Sequence, residues 1–105
     1  MKNFGGHHRY ELANFEKKDE PGQIIQFIEK EPKEGGEPGE LVTVNDGTTN
    51  EEVLAMLIHR SQKLNEKFPS RENSLAVTKM QEALFWFNER TRARKERGVE
   101  GKALA

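Results

Sequence analysis

The sequence has no cysteine, which excludes a disulfide frame, a thiol nucleophile and a thiolate metal site. It is also poor in apolar residues, which make up 33% of its 105 positions, as many as the charged ones. A single domain of this composition buries a modest core, and small domains commonly supplement such a core by oligomerising. No apolar run approaches the ~20 residues that a membrane span requires, and no signal-peptide pattern opens the chain. The expectation is one soluble domain, 1–105, working in the cytoplasm, with no membrane partner.

Catalytic signals are equally scarce. No serine sits in a nucleophile elbow, no glycine-rich phosphate loop precedes a helix, and there is no HExxH. The acidic residues are scattered, with no pairing that singles out an acid and a base. His7 and His8 fall in a start, residues 1–8, that reads as flexible, and His59 falls on the polar side of a helix. The chain is therefore expected to be no enzyme, with no catalytic residue, no metal and no cofactor.

What is present is an uneven charge. Residues 1–52 sum to −6 and residues 53–105 to +5, within a net charge of −1. The basic excess gathers in Arg90, Arg92, Arg94, Lys95 and Arg97. This is a local anion-binding possibility, whereas the acidic first half would repel a long polyanion. No DNA partner is expected.

The first half reads as strands, over 9–47. Tyr10 and Leu12 alternate in RYELANFEKK, before a turn at DEPG. QIIQFIEK is rich in β-branched and aromatic residues and reads as one strand, and ELVTVND as another, closing on Asp46-Gly47. KEGGEPG between them is a hairpin loop. A sheet of two or three antiparallel strands is marginal alone and is expected to pack on helices or on a partner.

The second half, 50–97, reads as two helices. In the first, Thr49 and Glu52 match a capping box, and Val53, Leu54, Leu57, Ser61, Leu64 and Phe68 form its apolar stripe. Phe68-Pro69-Ser70 is a corner, because a residue before proline avoids the α region. The second helix, capped by Ser70 and stopped by Gly98, spans about 40 Å. It carries one apolar side of Ala76, Met80, Ala83, Leu84 and Phe87. Leu75, Trp86 and Ala93 lie on another side, with Phe85 further round. Two apolar sides fit a helix covered by its own chain on one side and a second subunit on the other. The fold class is thus α+β, a small antiparallel sheet followed by a long antiparallel two-helix hairpin, oligomeric, with 98–105 as a tail.

Arg90, Arg94 and Arg97 share one helical face, and the arginine guanidinium forks onto phosphate and stacks on bases. At the other end, Arg71 flanks the free N–H groups of a helix start, which attract anions. Asn73 has the donor–acceptor pair that reads an adenine edge. Antiparallel pairing of two such helices would bring Arg71 and Asn73 of one chain to Arg90 and Arg94 of the other. Composition alone favours a plainer account, in which the arginines offset the helix dipole and the acidic half.

The run S-R-E-x-S-L-A-x-T-K, then E-A-x-x-W-x-N, then arginines, from Ser70 to Arg94, resembles the helical hairpin of two groups of phage counter-defence proteins. These are the Thoeris anti-defence sponges and the anti-CBASS cyclic-oligonucleotide sponges. The upstream strands, DGTTNEEV and the end VEGKALA look more like the Thoeris branch. The resemblance implies a binding protein that holds a cyclic ADP-ribose isomer without degrading it, with cyclic di- or trinucleotides as further ligands. It implies a homodimer or a hexamer built as a trimer of dimers, in an infected bacterial host cell. It also implies ligand contacts from Phe68, as a stacking ring, and from Arg71, Asn73, Arg90 and Arg94. Val99 to Lys102 would close over the ligand, and Trp86 would belong to the oligomer core. The competing reading is a small nucleic-acid-binding or structural phage protein that uses the same basic helix end.

Overall fold

A computed structural model of the protein describes residues 1–98. The chain forms two compact units, 1–49 and the helical part that begins at Asn50. Five strands, β1 (Lys2–Asn3), β2 (Arg9–Leu12), β3 (Gln23–Gln26), β4 (Glu29–Pro32) and β5 (Leu41–Asn45), precede two helices, α1 (Asn50–Lys67) and α2 (Arg71–Glu96). The α+β reading holds, with strands first and a helical hairpin after them.

The strands of the first unit divide into two antiparallel sheets, β1-β2-β3 and β4-β5. Tyr10 faces Ile25 across β2 and β3, and the rings of Tyr10 and Phe27 meet edge to face at 6.0 Å. QIIQFIEK is two strands instead of one. Its backbone changes partner in mid-run: the Phe27 N–H donates to His8 O at 2.7 Å, and the next residue, Ile28, donates to Thr48 O at 2.9 Å. Thr48 in turn donates to Gln26 O. Gly47 lets the chain pass this close, since a Cβ there would sit 2.3 Å from Gln26 O. The KEGGEPG hairpin forms as expected, joined by the Lys33–Glu40 ion pair at 3.2 Å.

Residues 1–8, read as flexible, instead hold a short strand, β1, and the turn that leads into β2. Lys2 pairs with Glu11 and Asn3 with Tyr10. The Asn3 side chain accepts from the Gly5 N–H and donates to Gly6 O, closing the turn that makes this pairing possible. Side-chain-to-backbone bonds of this kind are why asparagine is favoured in tight turns.

In the helical unit, Ser70 caps α2 as expected, its Oγ accepting from the Asn73 N–H at 3.0 Å. Gly98 terminates it with φ +69, a conformation that costs glycine nothing. The buried apolar residues are Ile58 and Val77. They sit on two heptad-like stripes of covered residues: Leu54, Ile58, Ser61 and Asn65 on α1, and Asn73, Val77, Met80, Leu84, Phe87, Thr91 and Arg94 on α2. Alternating spacings of three and four mark the seam of a helical pair.

The α1 stripe is therefore rotated from the expected one. Leu57, Leu64 and Phe68 are exposed, because the seam runs through Ile58 and the polar Asn65, which bonds at the corner. On α2 the expected apolar side is covered at Met80, Ala83, Leu84 and Phe87, while Ala76 is exposed and its neighbour Val77 takes the central place. Of the second side, Leu75 and Trp86 are exposed and Ala93 is partly covered; Phe85 is exposed and meets Trp86 edge to face at 5.2 Å.

Candidate functional site

The corner between the helices is assembled by one side chain. Asn65 Oδ1 accepts from the Ser70 N–H at 3.1 Å, and its Nδ2 donates to Ser74 Oγ at 3.1 Å. Asn73 continues the network by donating from Nδ2 to Phe68 O at 3.3 Å. At this corner Phe68 stands 72% exposed and Arg71, the first residue of α2, is exposed. An exposed ring, a guanidinium and a helix N-terminus together offer stacking and anion contact.

The other cluster lies at the far end of the same helix. Arg90 and Arg97 are exposed, whereas Arg94 is 8% exposed, the buried charged residue among those described. Arg94 closes the covered stripe that Asn73 opens. Arg90, Arg94 and Arg97 share one helical face, and the seam covers its middle member.

Arg92 takes no part in that face. Its Nε and Nη2 donate to Glu89 at 3.0–3.2 Å, and its Nη1 donates to Glu96 at 2.5 Å. The hydrogen bonds and charge of Glu89, then those of Glu96, raise its pKa further above an already high value. The pattern E-x-x-R-x-x-x-E carries this i,i+3 and i,i+4 spacing openly in the sequence, yet a count of basic residues passes over it.

Within one chain the two clusters do not meet. Arg71 and Arg90 are nineteen residues apart on one helix, about 28 Å at 1.5 Å per residue. Phe68, Arg71 and Asn73 gather at one end of α2 and Arg90 and Arg94 lie at the other. Two concavities of the helical unit have a volume of about 610 Å³ each, and the first borders the Asn65–Ser74 hydrogen bond. It is lined by His59, Gln62, Asn65, Ser74 and Val77, the other by Ala55, Met56, His59 and Leu64. No expected ligand residue lines either. Among the described residues, no three His, Asp or Glu gather as a metal site, and no helix is long and apolar enough to cross a membrane. Val99 to Lys102, expected to close over a ligand, lie outside the described residues.

With this geometry in view, the comparison with known families is decisive. The family model of the Acb2/Tad1 hairpin domain matches residues 24–92. The chain belongs to the Acb2/Tad1 hairpin family. The match runs from β3 through α1 and along α2 to Arg92, so Phe68, Arg71, Asn73 and Arg90 lie inside the Acb2/Tad1 hairpin domain and Arg94 just beyond it. A relative called Thoeris anti-defense 1, from Bacillus phage SBSphiJ7, is 45% identical over 75 residues, covering 60% of this chain and 53% of its own. The chain thus spans about half the length of that relative.

Proposed function

We propose that this protein is a phage anti-defence sponge, which binds a cyclic ADP-ribose-type immune signal and withholds it from its effector without cleaving it. Membership of the Acb2/Tad1 hairpin family supports the reading, as does likeness to a protein called Thoeris anti-defense 1. The observation that carries it is that Phe68, Arg71 and Asn73 lie at one end of α2 and Arg90 and Arg94 at the other. Antiparallel pairing of two copies superposes the corner of one on the arginine end of the other, and a two-fold axis then makes two equivalent pockets.

In each pocket Arg90 and Arg94 contact the pyrophosphate. Arg71 and the N–H groups after Ser70 supply a second anion contact. Phe68 stacks on the purine and Asn73 reads its edge. The exposed Leu75, Phe85 and Trp86 of α2 are covered by the partner copy. Dimers assemble further into a trimer of dimers, whose junctions take cyclic di- or trinucleotides. The protein works in the cytoplasm of the infected bacterial cell.

Sequestering a scarce signal stoichiometrically requires nanomolar affinity, about −12 kcal/mol. Paired arginine–phosphate contacts and stacking in a preorganised interface can supply it. The test is capture and release. The purified protein is incubated with the cyclic ADP-ribose signal and filtered, and the filtrate is assayed on the defence effector. The protein is then heated and the assay repeated. A silent filtrate that regains activity after heating is the expected result. Activity before heating overturns the reading for this ligand, and silence at both stages points to degradation.

A further inference from the structure

The arginine end of α2 has two faces of opposite character. At ~100° per residue, Arg90, Arg94 and Arg97 occupy one arc of ~60°, and Glu89, Arg92 and Glu96 occupy another, centred ~140° away. The second arc holds two carboxylates and one guanidinium, a net −1, and all three guanidinium nitrogens are engaged by those carboxylates.

We infer that Glu89 and Glu96 are specificity residues that exclude nucleic acid from the arginine end and reserve it for a small anion. The inference rests on the sponge reading for what the site admits. A helix that enters a groove of duplex DNA has a row of phosphates on each flank and needs cations toward both. Here one flank offers the exposed Arg90 and Arg97, and the other turns carboxylates toward the second row. The individual ion pairs are exposed and stabilise the fold little. Their effect is on the local field, which acts within a Debye length of ~8–10 Å and so reaches any phosphate seated beside the helix. A small doubly charged ligand approaches from the arginine face alone and meets no such penalty.

The test compares the full-length wild type with the double variant E89Q/E96Q and the triple variant E89Q/R92Q/E96Q. The probe is a fluorescein-labelled DNA duplex of about 20 base pairs, titrated across a salt series. The double variant is expected to bind the duplex at least tenfold more tightly than wild type at low salt. Its log–log salt slope should steepen by about one unit as the freed Arg92 joins a phosphate. The triple variant should lose that added slope. Duplex affinity of the double variant within twofold of wild type overturns the inference, as does wild-type binding that already has the steeper slope. Circular dichroism of each variant checks that α2 is intact. Signal capture, measured in parallel, keeps the two readings apart. If wild type fails to capture the signal, the sponge reading falls, whereas the duplex comparison alone decides whether these carboxylates exclude polyanions.

Discussion

Asn65 on α1 and Ser74 on α2 are joined by a 3.1 Å hydrogen bond, and the same asparagine accepts from the Ser70 N–H. One side chain therefore ties the end of the first helix to the N-cap of the second. The corner that carries Phe68, Arg71 and Asn73 is held by this clip rather than by a large core. Asn65→Ala is expected to destabilise the protein by about 1–2 kcal/mol, because it leaves the partly buried Ser70 N–H without its acceptor. Ser70→Ala, which removes the cap, should cost about 1 kcal/mol. The two effects should not add, since the residues share one network. Chemical denaturation of the single and double variants measures this. Strict additivity would show that the clip and the cap act independently.

The seam gives a second prediction. Ile58 is buried and Leu64, six residues along the same helix, is exposed. Ile58→Ala should cost about 2–4 kcal/mol through lost burial and a residual cavity. Leu64→Ala should lower the stability of the isolated chain by less than about 0.5 kcal/mol. Unfolding of dilute protein measures both, and equal losses would mean that the packed stripe runs through Leu64 instead.

Much of this was legible because it is local. Ser70 and Gly98 are punctuation, and the KEGGEPG hairpin is turn chemistry between two β-rich runs. The misses are non-local or polar. QIIQFIEK reads as one strand because nothing within it announces that Phe27 bonds to His8 while Ile28 bonds to Thr48. The α1 stripe is misplaced because apolar periodicity favours Leu57 and Leu64 and overlooks Asn65, which packs by hydrogen bonding. Of the site, the residue types and spacings were readable. The burial of Arg94 was not, since its spacing from Arg90 and Arg97 looks the same whether the face is open or covered.

That burial separates the two arginines in their expected behaviour. Arg90 is exposed, and on the proposed reading Arg90→Ala should weaken signal binding at least tenfold, about 1.4 kcal/mol, with thermal stability and oligomeric state unchanged. Arg94→Ala should weaken binding and also lower the melting temperature, because it removes a buried side chain. Calorimetric titration with the signal, alongside thermal unfolding, reads both. Unchanged binding in both variants would remove the arginine half-site from the pocket.

The proposed shared pocket can be tested without a complex structure, because its two halves would belong to different copies. Consider one variant that lacks the corner, R71A/N73A, and another that lacks the far end, R90A. Each alone should bind the signal poorly, since both of its pockets are damaged. In a mixed dimer, the intact corner of the second variant faces the intact end of the first, so one pocket regains all its groups. The other pocket carries every defect. Random reassembly of equal amounts makes half the dimers mixed, so about a quarter of wild-type capacity should return at wild-type affinity. The measurement is a stoichiometric titration of the mixture after unfolding and refolding together. Mixing the variants without subunit exchange should restore nothing. If co-refolded variants also recover no sites, then the half-sites do not come from two copies, and each end of α2 must bind, or fail to bind, on its own.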